Sequence, residues 1–274
     1  MTAMMLGVTL LIVGVLPGAA GARRLTGILG AFEAEVATLR QALVAPRDTT
    51  CLGLTFTVGE LRGRPVVLTM AGVGKVNAAM TTTLLLEHFQ PNEVLFSGIA
   101  GGLNPDLDPG DIVLGARVVH HDFAVAGDGG TTVMATHAPA SATPNPIYFP
   151  ADTSLLALAI EVGRDLALAP IPARAGPRAP RVVAGVIATG ESFVASAARR
   201  QELRDRLGAD AVEMEGAAVA QICYQLGTPC LVVRSLSDRA DSSAVQDIEQ
   251  FYRIAADNSA VLVMGIAARL ARRN

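Results

Sequence analysis

Four acidic side chains stand where an apolar, strand-like run gives way to a loop or a helix. Glu35 lies in Gly30-Ala31-Phe32-Glu33-Ala34-Glu35-Val36, Asp238 closes Val232-Val233-Arg234-Ser235-Leu236-Ser237-Asp238, and Glu213 and Glu215 flank Met214. Carboxylates in different surroundings can divide general-acid and general-base work, each worth roughly 10² to 10⁴ in rate. Open α/β sheets bind ligands at the carboxyl ends of their strands, which is where these acids fall. A plainer reading competes: acids in the first turn of a helix complement its dipole, and that accounts equally for Glu33, Glu35 and Glu215. Asp238 resists it more, because a charge ending an apolar strand is costly unless exposed or partnered. Capping of a following turn is its rival reading. Spacing alone does not put the four acids in one site.

Holding such acids together takes strands and helices in alternation. Apolar β-prone runs at Leu25 to Ala31, Val66 to Met70 and Val94 to Ser97 alternate with helical periods at Glu33 to Leu43 and Val76 to Phe89. The second half repeats the pattern, with strands near Val182 to Ala188 and Cys230 to Leu236. Its helices fall near Ser154 to Leu166, Ala195 to Leu207, Met214 to Gln225 and Val245 to Ala271. Residues Leu52 to Val58 alternate apolar and polar positions before Arg62-Gly63-Arg64-Pro65, which predicts an antiparallel strand entering a tight turn. The expectation is one α/β domain over residues 23–274, a mixed, mostly parallel twisted sheet with helices on both faces. Ala124 to Pro150, rich in Gly, Thr, Ala and Pro, reads as a lid or binding loop.

Composition removes several function classes. Of 274 residues, 51% are hydrophobic and 17% charged, which excludes disorder, and a net charge of −3 without a basic cluster argues against a nucleic-acid partner. Cys51, Cys223 and Cys230 cannot form a fully paired disulfide framework. Gly72-Val73-Gly74-Lys75 lacks the first Gly and the final Ser or Thr of a Walker loop, and no Gly-x-Gly-x-x-Gly follows the first strand. The histidines, His88, His120, His121 and His137, lack metal-ligand helical spacing, so neither a metal nor a cofactor is expected.

The amino terminus stands apart. Met4 to Leu16 is a weakly polar to apolar run, followed by Pro17 and the small-x-small pattern Ala20-Gly21-Ala22. Residues 1–22 read as a signal peptide, giving an exported or periplasmic protein with no stable membrane span after cleavage; the run is short for a span of about 20 residues. A misassigned start codon, with a cytoplasmic protein behind it, is the alternative, because no Lys or Arg precedes the run and Arg23-Arg24 follow it.

Six short segments, in order, resemble the nucleoside phosphorylase/hydrolase superfamily, most closely its 5′-methylthioadenosine/S-adenosylhomocysteine nucleosidase branch. They are Gly-Ala-Phe-Glu-Ala-Glu-Val at 30–36, Ala-Gly-Val-Gly-Lys-Val-Asn-Ala-Ala at 71–79, Ser-Gly-Ile-Ala-Gly-Gly-Leu at 97–103, Gly-Asp-Ile-Val at 110–113, Ala-Val-Glu-Met-Glu at 211–215 and Arg-Ser-Leu-Ser-Asp at 234–238. The resemblance implies that Glu35 activates water and Asp238 protonates the purine. It implies further that Glu215 accepts from the ribose diol, Met214 packs on the sugar, and Glu213 is a ribose or water contact. Phe193 and Val194 match the adenine pocket, and Phe32, Ile99, Ala100 and Gly101 fall on the substrate side. Ile99 stands where the branch carries Ser, Phe32 where Met is usual, and Ile248 near a position often occupied by Phe.

Cleaving an N-glycosidic bond leaves positive charge on the sugar and negative charge on the departing base, which is why two carboxylates are needed. The implied activity is hydrolysis of a 5′-substituted adenosine with release of adenine, by a homodimer. A phosphate-dependent purine nucleoside phosphorylase and a non-catalytic periplasmic nucleoside-binding protein are the alternatives. Arg62 and Arg64 are candidate phosphate ligands that read as turn residues.

Overall fold

The computed structural model describes residues 24–128, 130–170 and 178–273; the proposed leader, 1–22, lies outside them. The first strand, β1 (Thr26–Gly30), is buried along its whole length, and α1 (Glu33–Gln41) follows. Next come β2 (Val44–Cys51), β3 (Leu54–Leu61), β4 (Arg64–Met70), α2 (Lys75–Phe89), β5 (Glu93–Gly102) and β6 (Ile112–His120). A small hairpin, β7 (Ala124–Gly127) and β8 (Gly130–Val133), precedes β9 (Tyr148–Pro150) and α3 (Thr153–Asp165). The chain ends with β10 (Val182–Thr189), α4 (Ala197–Leu207), β11 (Ala211–Glu213), α5 (Gly216–Leu226), β12 (Cys230–Asp238) and α6 (Ala244–Ala271).

The main sheet runs β11-β10-β6-β12-β5-β1-β4-β3-β2. Strand β1 pairs in parallel with β4 and β5, and β12 with β5, as apolar runs buried on both faces require. Strand β11 pairs with both β10 and β5, so β5, β12, β6, β10 and β11 close into a ring from which β1, β4, β3 and β2 extend. Alternate residues of the central strands enter different cores. Leu29, Phe96 and Val232 pack with α2 and α5, whereas Ile28, Leu95 and Val233 pack with α1, α3 and α6. That alternation puts helices on both faces, as the sequence predicts. Helix α6 contains a stretch, Phe251–Ala271, apolar and long enough to cross a membrane, but more than half of its apolar window is buried inside the protein, as in a core helix.

Three local expectations are corrected. Ala124 to Pro150 is not structureless: it holds the β7–β8 hairpin and β9, which pairs antiparallel with β6. Leu52 belongs to a two-residue turn with Gly53 rather than to a strand, and Arg62-Gly63 forms a second such turn. All four residues have positive φ, the conformation that matches the twist of an antiparallel ribbon. Arg64 is not a turn residue but the buried first residue of β4, where its Nη2 pairs with Glu93 Oε1 at 2.6 Å and its Nε donates to Thr26 Oγ1 at 2.9 Å.

Candidate active site

The carboxyl ends of β1, β5 and β12 and the β11–α5 junction meet around one cavity of about 110 Å³, placed where open α/β sheets bind ligands. The β1–α1 connection delivers Glu35 in the first turn of α1. Its neighbour Glu33 is exposed, as a dipole-complementing acid should be, but Glu35 is 3% exposed. Glu35 Oε1 accepts the Ile99 N–H at 2.8 Å, and Oε2 accepts the Ala31 N–H. Burial pushes its carboxyl above the usual range, and Arg234 together with the two N–H groups offsets only part of that. Asp238 ends β12 beside an irregularity in its pairing with β5. Its Oδ2 accepts from Ser237 Oγ at 2.8 Å and its Oδ1 from the Ala240 N–H at 2.7 Å, and burial again raises its pKa.

Glycines on β5 make room for both acids. A Cβ on Gly98 would lie 2.5 Å from Glu35 Oε1 and 2.9 Å from Arg234 Nη1, and one on Gly101 would lie 2.9 Å from Asp238 Oδ1. The glycines of the 97–103 segment are therefore the space in which these side chains stand.

Arg234, within an apolar strand, is 1% exposed and survives there because it is surrounded by acceptors. It donates through Nη2 to Glu213 Oε2 at 2.8 Å and through Nη1 to the Phe96 carbonyl, and it lies 4.0 Å over the Phe96 ring. Burial works against its charge, but Glu213, Glu35 and Glu215 outweigh that. Glu213 Oε2 also accepts the N–H groups of Glu215 and Gly216, while its Oε1 accepts from Thr189 Oγ1. Although Glu213 reaches the cavity wall, its oxygens are held by protein donors, so it orients Arg234 and the β11–α5 turn. Glu215 keeps an oxygen for a ligand. Its Oε1 accepts the Gly74 N–H at 2.7 Å, and its pKa is pushed up to about 8, first by burial and then by the charge of Glu213.

Most residues singled out from the sequence meet here. Glu35, Asp238, Glu215 and Met214 stand on the cavity wall with Phe193. Phe32, Ile99, Ala100 and Gly101 form the rest of the predicted set, and Ile248 joins them. Val194 does not: it is buried in a core cluster with Val119, Val186 and Leu203. Sequence reasoning missed Val73, Ser237 and Arg234. For Arg234 a signal existed, since a cation inside an apolar strand must be paired to be tolerated. Among the described residues, no group of three or more His, Cys, Asp or Glu is placed to hold a metal ion.

Residues 26–268 match the family model described as the phosphorylase superfamily. The chain belongs to this superfamily. It is 39% identical over 238 residues to the 5′-methylthioadenosine/S-adenosylhomocysteine nucleosidase of Marinomonas sp., covering 86% of this chain and 95% of that one. Among solved structures it is similar to the 5′-methylthioadenosine/S-adenosylhomocysteine nucleosidase of Neisseria meningitidis in complex with methylthio-immucillin-A. There the TM-score is 0.78 and the identity 33%, over 90% of this chain and 99% of that one. The futalosine hydrolase of Helicobacter pylori is another superfamily likeness, with TM-score 0.76 and 31% identity over 90% and 98% of the two chains. The superfamily match, 26–268, includes every residue placed on the cavity wall.

Proposed function

We propose that this chain is a purine nucleosidase, hydrolysing the N-glycosidic bond of a 5′-substituted adenosine of the methylthioadenosine/S-adenosylhomocysteine type and releasing adenine. The observation that carries the reading is the convergence of three buried carboxylates, Glu35, Asp238 and Glu215, on one cavity. In this reading Asp238, whose pKa burial raises, delivers its proton to the purine as the bond to the sugar breaks. Glu35 takes a proton from water attacking the anomeric carbon on the opposite face. Glu215 receives the ribose diol on its carboxylate oxygens, Met214 packs on the sugar and Phe193 supplies an aromatic face to the base. Because diol donors favour the ionised form of Glu215, binding is accompanied by proton release below about pH 8.

Hydrolysis is favoured over phosphorolysis because donors suited to a phosphate are already engaged. Glu213 takes Arg234, the N–H groups of Gly74 and Lys75 at the start of α2 donate to Glu215 and Glu191, and the Lys75 ammonium pairs with Asp122. The test is chromatography of purified protein with methylthioadenosine, S-adenosylhomocysteine and futalosine, with and without phosphate. Free adenine and a free sugar, formed equally fast without phosphate, are expected from the adenosine substrates. The 1-phosphate of the 5-substituted ribose, made only with added phosphate, would identify a phosphorylase, and intact nucleoside bound without turnover a binding protein.

The same proposal includes a homodimer. Val73, Val76 and Met80 at the start of α2, and Phe123 and Met134 at the hairpin, are exposed, with Val76 80% exposed; Val73 also lines the cavity. Apolar surface gathered beside a binding site is a mark of an interface. Sedimentation is expected to give about twice the chain mass, and Val76→Glu to shift it to the monomer. Sedimentation of the unaltered chain as a monomer at micromolar concentration would remove this part of the proposal. Export rests on the Met4 to Leu16 run and the Ala20-Gly21-Ala22 pattern.

A further inference from the structure

The structure assigns Glu191 a positioning role: with Asp122 and Lys75 it ties the Phe193 loop to the helix start that also anchors Glu215. This inference rests on the nucleosidase reading and gives Glu191 a part in base binding that the reading itself does not assign. Glu191 and Phe193 share the segment between β10 and α4, two residues apart, and both are exposed. An exposed aromatic ring can serve as a stacking platform only if its backbone is held, because an untethered loop must lose conformational freedom each time a ligand binds.

Three contacts supply the hold. Glu191 Oε1 accepts the Lys75 N–H at 3.0 Å, the Glu191 N–H donates to Asp122 Oδ2 at 2.9 Å, and Asp122 Oδ1 pairs with the Lys75 ammonium at 2.6 Å. The loops β4–α2, β6–β7 and β10–α4 are thereby closed into one triangle. One residue earlier on α2, the Gly74 N–H donates to Glu215 Oε1, so neighbouring amides hold the proposed sugar carboxylate and the proposed base loop. Close packing fits the same purpose. Gly74 has φ of 91° and a Cβ there would meet Glu191 Oε2 at 2.9 Å, while a Cβ on Gly190 would collide with the His121 ring. His121 in turn contacts Arg199 of α4 through Nδ1.

Glu191→Ala removes one surface hydrogen bond, to the Lys75 N–H, and leaves the Asp122–Lys75 pair in place, so the effect should appear in ligand binding rather than in melting. Glu191→Ala is expected to raise KM for the nucleoside about tenfold, with kcat changed less than threefold, an unchanged pH profile and an unchanged melting temperature. Glu191→Gln keeps a carbonyl to accept the Lys75 N–H and should recover most of the loss. In a Phe193→Ala background, removing Glu191 should cost less than twofold, because its action passes through that ring. A KM for Glu191→Ala equal to that of the unaltered protein, or full additivity with Phe193→Ala, overturns the inference. Should the unaltered protein turn over no nucleoside, the nucleosidase reading falls separately. Calorimetric binding of adenine then decides the loop: about tenfold weakening by Glu191→Ala supports it, and equal affinity overturns it.

Discussion

Asp238→Asn is expected to lower kcat/KM for the adenosine substrate by roughly 10² to 10⁴, the ordinary contribution of a general acid, without loss of the fold. The carboxylate and the amide have the same shape, and the local bonding survives the exchange. Asn Oδ1 can still accept the Ala240 N–H, and the Ser237 hydroxyl, which contacts Asp238 Oδ2, can rotate to accept from the new amide. What is lost is the transferable proton. Burial raises the pKa of Asp238 in the folded protein, so the stability linked to its protonation is full below the unfolded value and is lost as pH rises through the folded one. Near neutral pH the wild-type side chain therefore costs stability that Asn does not, and the variant should melt no lower than the parent. The raised values of Glu35 and Asp238 also set the limbs of the rate profile: activity rises with pH as Glu35 ionises and falls as Asp238 loses its proton, both above the range of the free side chains. Asp238→Asn should abolish the falling limb. A 4-nitrophenyl riboside, whose leaving group needs no proton, should be spared most of the loss. An equal loss on both substrates, or a nucleoside rate within threefold of wild type, would defeat the assignment.

What the sequence revealed of this arrangement follows the physics of burial. Strands β1, β5 and β12 were readable because strands buried on both faces are apolar along their length, and Glu35 and Asp238 were noticeable because they stand where the apolar runs of β1 and β12 give way. Strand β2, Val-Ala-Pro-Arg-Asp-Thr-Thr-Cys, is almost wholly exposed and is a strand only because β3 lies beside it, so no local pattern announces it. The ring closure was equally hidden, since it depends on two residues of β11, Ala211 and Val212, pairing across to Gly102 and Gly101. Separating Glu213 from Glu215 was beyond a local reading. Both are acids beside the same Met, and only the approach of Arg234, 21 positions away, commits the first to structure and leaves the second an oxygen for a ligand. The side chain of Val194 turns into a core cluster while that of Phe193 faces the cavity, as neighbours in an extended segment do, which leaves only the backbone of Val194 for the base.

Glu35 carries the second large expectation, a loss of roughly 10² to 10⁴ in kcat on removing its carboxylate, and here the form of the substitution matters. Both oxygens accept backbone N–H groups, from Ala31 and Ile99. Glu35→Gln satisfies only one of them and turns an amide toward the other, leaving a buried donor unpaired at about 1 to 3 kcal/mol. Structural damage and loss of the base are then confounded. Glu35→Ala separates them, because it vacates the space over Gly98 where a small anion can enter and be met by Arg234. With azide, the attacking nitrogen forms a bond to the anomeric carbon on the face opposite the base, the glycosidic bond breaks, and Asp238 supplies the purine with its proton. Ribosyl azide of inverted configuration should accumulate in amounts equal to the adenine released. This nucleophile arrives already charged and needs no base, so azide should raise the rate of Glu35→Ala far more than that of the parent. If added azide leaves the variant as slow as before while adenine still binds with parental affinity, Glu35 does not serve the nucleophile. The cavity's chemistry would then have to be rebuilt around Glu215, whose elevated pKa makes it the other wall residue able to take a proton near neutral pH.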